Sequence, residues 1–220
     1  MAGKTKEKVE VSEESPFAGC AILIVAVIVM IFLIGFSILT LFRQFNEIAK
    51  FTQEKPARIE IVSLENREPE LNRLAEKLEK FRLAVEDDST TSLELNAEEI
   101  NLAIAAYEPF KDLRGMLHVE EISPENVRLS ISFQLNGKPR LAKKGEVGWM
   151  GSDPRYLSGT LVAEPGLMSR EIILQIRDII VPGKKVPVEF IERMSPYRIA
   201  ERYVGSEGIG TTMAKLTKVE

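Results

Sequence analysis

Side chains able to do chemistry are sparse in this 220-residue chain, and their spacing keeps them apart. His118 is the only histidine, and a general base or metal ligand needs partners converging on it. Alternation with Leu117 and Val119 sends it to the polar side of an expected strand, as a surface histidine. The single cysteine, Cys20, excludes an internal disulfide and a cysteine-based metal site. Gly205-Ser206-Glu207-Gly208-Ile209-Gly210 has three glycines but matches neither a phosphate loop nor a dinucleotide fingerprint. Pro182-Gly183-Lys184-Lys185 lacks the spacing of a P-loop, and no serine sits in a Gly-x-Ser-x-Gly setting. The carboxylate pairs Glu98/Glu99 and Glu120/Glu121 are adjacent, so on a helix or strand they diverge. No catalytic residue, cofactor or metal site is expected; an active site assembled from distant carboxylates is the least favoured reading.

The element that positions everything else is Ala18 to Phe42, 25 residues without a charged side chain. As a helix it covers roughly 37 Å, against a hydrocarbon core of about 30 Å. It is apolar all round, which leaves no face for water. The expectation is one transmembrane helix, too long for a signal-peptide core and followed by no small-x-small site, hence an uncleaved signal-anchor. Phe17-Ala18-Gly19-Cys20 resembles a lipoprotein cleavage site, but there the apolar region precedes the cysteine and here it follows. No ionisable residue lies inside the span, so it offers no proton or ion path. Gly19 and Gly35 are too far apart for a Gly-x-x-x-Gly contact. Lys4, Lys6 and Lys8 before the span balance Arg43, Lys50 and Lys55 after it, so the positive-inside count ties.

Five segments follow from composition and period. Residues 1–17 read as a disordered tail, 18–42 as the span and 43–56 as a helical stalk ended by Pro56. Phe42 at the end of the span and Phe45 and Phe51 in the stalk are expected at headgroup level. Residues 57–88 hold a short strand at Arg58 to Ile61 and an amphipathic helix from Glu68 to Val85. Leu71, Leu74, Leu78, Phe81 and Val85 form the apolar stripe of that helix. It lasts only about two heptads, so packing on its own domain fits better than a coiled coil. Removing Met1 to Glu54 is therefore expected to leave a soluble, folded domain.

Residues 89–220 are the expected main domain. Leu93 and Leu95 suggest a short strand; Asn96 and Glu99 then form a capping-box pattern opening a helix from Ala97 to Tyr107, stopped by Pro109. From Met116 the period changes to two, most cleanly at Val127, Leu129, Ile131, Phe133 and Leu135, and Asn136-Gly137 signals a hairpin. Strand-like stretches follow at Glu146 to Trp149, Tyr156 to Ala163 and Ile172 to Val181. A helix is expected from Val188 to Arg193, a second from Ser195-Pro196 through Tyr203, a loop from Gly205 to Gly210 and a last strand from Met213 to Val219. The fold class is α+β: one N-terminal transmembrane helix, then a domain with a helix packed on an antiparallel β-meander.

The helix has an apolar face of Ile100, Ala103, Ile104 and Tyr107, and the clean strand offers Leu129, Ile131 and Phe133. These seven residues are the candidate site: a fully packed contact between the two faces is the favoured reading, and the other is an apolar groove in which the small Ala103 and Ala106 leave room for an acyl chain. From Ala57 onward, 23 Lys or Arg stand against 27 Asp or Glu, which excludes the basic field a nucleic acid requires.

The segment Ser92-Leu93-Glu94-Leu95-Asn96-Ala97-Glu98-Glu99-Ile100-Asn101, behind a single span and opening a helix that ends at Tyr107, is similar to the YpmS-like membrane-anchored proteins. The likeness continues through the strand to Phe133 and returns at Lys185-Val186-Pro187-Val188-Glu189-Phe190, where valine stands in place of the family's leucine before proline. It covers roughly Leu93 to Tyr203 and leaves out the helix from Glu68 to Val85. The resemblance implies an extracytoplasmic domain of unknown biochemical function, with the N-terminus cytoplasmic, and it transfers no catalytic residue. Two readings of function lead: a non-enzymatic envelope protein binding an amphipathic ligand such as a lipid, or an envelope protein partner; alternatively, a structural or assembly subunit of a membrane complex.

Overall fold

The computed structural model describes residues 16–143, 145, 150–203, 205 and 209–219. The chain divides into two compact units, Met1–Asn46 and Glu47–Glu220. The described part of the first unit is helical, within α1 (Pro16–Phe51). From Ile24 onward its apolar side chains stay outside any core, with Phe32 68% and Leu39 70% exposed. A core helix of a soluble domain buries such residues; this one is fit to face hydrocarbon. It is one candidate membrane span near the N-terminus.

The second unit is α+β. Its centre is one four-stranded antiparallel sheet in the order β1-β2-β3-β4. The strands are β1 (Leu117–Ile122), β2 (Val127–Leu141), β3 (Met150–Met168) and β4 (Glu171–Ile180). The helices are α2 (Glu68–Glu86), α3 (Ala97–Ala106), α4 (Val188–Met194) and α5 (Ile209–Ala214). Two 3-10 turns, Glu108–Leu113 and Glu201–Tyr203, complete the order. Period-two alternation puts Leu129 and Ile131 of β2 on one face with Leu157 and Leu161 of β3; Ile131 and Leu157 are both 0% exposed. The other face carries serines and threonines. Ser132 and Ser158 are buried there because the extended chain after α1 crosses them: the Ala57 N–H donates to both hydroxyls, at 3.1 and 3.4 Å.

Exposed sheet edges invite foreign strands, and three edges here are closed by other groups. On β1, the Asn101 side chain acts as a strand surrogate: its Oδ1 accepts from the Val119 N–H and its Nδ2 donates to the Val119 carbonyl, both at 2.8 Å. Where β3 outruns β4, Gln53 exchanges two backbone hydrogen bonds with Tyr156. On β4, Tyr197 does the same with Leu174, and the Ile176 N–H donates to Ser195 Oγ.

Several local expectations are corrected. Asn136-Gly137 does not turn the chain: β2 runs on to Leu141, with a register shift between Asn136 and Pro139. Gly137 is needed for a close approach instead, since a Cβ there would lie 2.3 Å from the Asp153 carbonyl oxygen and 2.7 Å from Arg155 Cγ. The strand expected at Glu146 to Trp149 falls on residues outside those described. Arg58 to Ile61 and the stretch at Leu93 and Leu95 lie in irregular chain and pair with no strand. The helix α3 stops at Ala106; Tyr107 is its C-cap, and Pro109 lies inside the following 3-10 turn rather than after a simple stop. No helix begins at Ser195-Pro196, because Tyr197 is drawn to the β4 edge. The expected last strand is short helix α5 followed by irregular chain, and α5 begins inside the expected Gly205 to Gly210 loop.

The stalk reading changes most. The helix α1 ends at Phe51, short of Pro56, and Phe51, expected at headgroup level, is only 1% exposed. It packs into the sheet core with its ring centroid 4.8 Å from that of Phe190 on α4.

Candidate functional site

The seven candidate residues do not share one open wall. Ile104, Leu129 and Ile131 sit in the closed core, with Ile100 and Phe133 packed against it. Phe133 stacks on Tyr197 at 6.4 Å, and Ala103 and Tyr107 are half-buried. The helix α3 is held along β1 by Asn101, while its Ile104 reaches the core shared with Leu129 and Ile131 of β2. A hollow beside Ile104, walled also by Asn101, Arg114 and His118, encloses about 10 Å³. That is about the least space a single water needs, far below an acyl chain.

His118 is half-buried, its Nε2 3.4 Å from Asn101 Nδ2. Glu98 and Glu99 do diverge from each other, yet both meet α2: Glu98 pairs with Arg67, and Lys77 Nζ reaches both oxygens of Glu99 at 2.8 and 2.9 Å. Glu99 also accepts from the Asn96 N–H, closing the capping box. The Lys77 hydrogen bond, then that backbone bond, hold the Glu99 carboxyl below the usual glutamate range. Glu120 accepts from Ser130 Oγ. Burial pushes the Tyr203 phenol up, and Phe110 meets its ring edge-on at 5.2 Å. Among the described residues, no three of His, Cys, Asp or Glu gather as a metal site would require.

Two constellations escaped the sequence reading. The first is the socket for the end of α1, where C-terminal carbonyls need donors. Arg155 supplies them: Nε donates to Thr52 Oγ1 at 2.7 Å, and Nη2 donates to the carbonyls of Ala49 and Thr52 at 3.1 and 3.0 Å. Lys184 Nζ adds a bond to Thr52 O at 2.8 Å. Both cations favour the negative end of the helix. The second is the outer layer, in which α2 lies on α3 and meets α5. Leu74, 1% exposed, is the buried residue of α2. Lys215 Nζ caps the far end, donating to Val85 O at 2.8 Å and to Asp88 Oδ1 at 2.6 Å.

No protein-family model, curated protein or solved structure matches this chain.

Proposed function

We propose that this chain is a single-pass, membrane-anchored and non-enzymatic docking module, whose unit from Glu47 onward binds an envelope protein on the extracytoplasmic side. The observation carrying this reading is the filled contact at the candidate groove: Ile104, Leu129 and Ile131 are closed into the core, which favours a partner recognised at the surface over a lipid held inside. The acids Glu98 and Glu99 are engaged with Arg67 and Lys77 rather than gathered around a reacting group, which supports a binding role over catalysis. The YpmS-like resemblance supports the side of the membrane.

Mass spectrometry of the intact chain extracted in mild detergent tests the reading. A protein subunit retained at fixed stoichiometry is expected; a stoichiometric lipid without any protein would overturn it. For sidedness, Ser152→Cys in a Cys20→Ser background should react with an impermeant thiol reagent on cells whose outer barriers are opened. Reaction only after the inner membrane is broken would reverse the orientation.

A further inference from the structure

One strand signal in the sequence found no strand to pair with. Arg58-Ile59-Glu60-Ile61-Val62 alternates charge with isoleucine, the pattern of a strand with one apolar face. In the fold it is irregular chain, and among the described residues 58–62 make no hydrogen bond or ion pair. Arg58 and Glu60 are both exposed, as is Ile61 at 54%. Yet the segment is seated at both ends. The Ala57 N–H donates to Ser132 and Ser158, and a Cβ on Gly115 would lie 3.6 Å from Ile61 Cδ1. Alongside it a hollow of about 430 Å³ is bordered by Arg58, Ile59, Glu60 and Ile61.

We infer that residues 58–62 are half of a two-stranded antiparallel ladder, completed by the same residues of a second copy of this chain. This goes beyond the docking reading above and does not depend on it. Ala57 sets the direction. Backbone groups alternate sides along a strand, so with the Ala57 N–H turned to the sheet, those of Arg58 and Glu60 face away from it. Charge sets the partner. A two-fold axis through Ile59 places Arg58 of each copy opposite Glu60 of the other, as hydrogen-bonded pairs. It also places Ile59 opposite itself and Ala57 opposite Ile61, so apolar meets apolar. Other registers lose this match. An axis through Glu60 opposes two carboxylates, one between Ile59 and Glu60 opposes charge to isoleucine, and parallel in-register pairing sets arginine beside arginine. Both copies carry the same candidate span, and sharing one bilayer raises the concentration at which they meet.

The test uses the full chain in membranes, in a Cys20→Ser background. At the axis the two Ile59 positions form a non-hydrogen-bonded pair with Cα atoms about 4.5 Å apart, within disulfide reach. Ile59→Cys should therefore give a covalent dimer on mild oxidation. Ile61 is the more exposed side chain, but its two copies would lie about 13 Å apart. Ile61→Cys should accordingly cross-link at least about tenfold more slowly. Arg58→Glu or Glu60→Arg, added singly to Ile59→Cys, opposes like charges twice and should slow cross-linking roughly tenfold. The two reversals together restore opposite charges and should restore the rate. Where Ile59→Cys does not fold, Ala57→Cys with Ile61→Cys replaces it, since these positions face each other across the axis. Cross-linking of Ile61→Cys as fast as that of Ile59→Cys overturns the inference. So does a dimer indifferent to the single reversals, or a double reversal that recovers nothing. A chain that stays monomeric while retaining an envelope subunit in the mass measurement would sink this inference and leave the docking reading standing.

Discussion

The last turn of α1 and the whole of α2 meet the same folded unit in opposite ways. The short one buries an aromatic ring. Phe51 enters the sheet core, and the carbonyls behind it are taken by Arg155 and Lys184 in a half-enclosed setting. The long one, with 19 residues, fully buries Leu74, half-buries Leu71, Leu78, Phe81 and Val85, and adds ion pairs with water around them. Length is therefore a poor guide to attachment. A buried phenylalanine outweighs several exposed ion pairs, whose typical worth is about 0–1 kcal/mol each.

The largest expected effect follows from that contrast. Phe51→Ala should cost about 3–5 kcal/mol, the usual range for emptying a packed aromatic site. Urea unfolding of the chain in detergent, followed by the circular dichroism of the sheet, measures it. The same socket reverses the expectation that removal of Met1 to Glu54 is harmless. A chain starting at Glu47 should unfold cooperatively; one starting at Lys55 should be far less stable. Equal midpoints for the two would erase the distinction between α1 and α2.

Arg155→Met comes next, at roughly 2–3 kcal/mol, because it removes charge-assisted donors from the Ala49 carbonyl and the Thr52 hydroxyl and leaves Thr52 O to Lys184 alone. Arg155→Lys should recover only part of this, since one ammonium does not reproduce the planar fork that reaches Ala49 and Thr52 together. Full rescue by lysine would mean that charge alone, not directed hydrogen bonding, holds the helix end.

Asn101→Ala probes the boundary between the two regions, since α3 faces the sheet edge on one side and α2 on the other. It leaves the Val119 N–H and carbonyl without partners and should cost about 1–3 kcal/mol. Exchange at the Val119 amide should accelerate more than at Leu129. Unchanged exchange at Val119 would show that the edge finds another cover.

The contrast also explains what could be read from sequence. The span needed only the absence of charge from Ala18 to Phe42, the β2 strand only its period, and the α3 start only Asn96 and Glu99, three residues apart. Each is a local signal. Phe51 is not: beside an apolar run it reads as an interfacial aromatic, and its burial depends on Phe190, far along the chain. Asn136-Gly137 failed for a related reason. Its turn preference is outvoted by pairing with Pro154 and by the need to let Arg155 pass toward α1. Asn101 was hidden between apolar neighbours on α3, although a polar residue on a face otherwise fit for burial is a signal that a backbone partner is near. The candidate groove was assembled from real apolar faces, but periodicity cannot tell a face that meets its complement from one that leaves a gap.

The smallest effect is the one that best separates the two regions. Lys77→Ala should change global stability by less than about 1 kcal/mol, because its ion pair with Glu99 is partly exposed. Its effect should fall on α2 alone. The Glu99 carboxyl is held below the ordinary glutamate range, by Lys77 first and the Asn96 N–H second. A carboxyl lowered on folding adds stability that is complete above its unfolded value and is lost as pH falls through the folded one. The α2 amides should therefore exchange faster, relative to those of β2, only once the pH drops beneath the ordinary glutamate range, and not near neutrality. In Lys77→Ala that acid response should shrink, leaving the part due to the Asn96 N–H. A response of β2 and β3 in step with α2 would show one cooperative body, and the difference between a helix end set into a core and a helix laid on top would have no dynamic consequence.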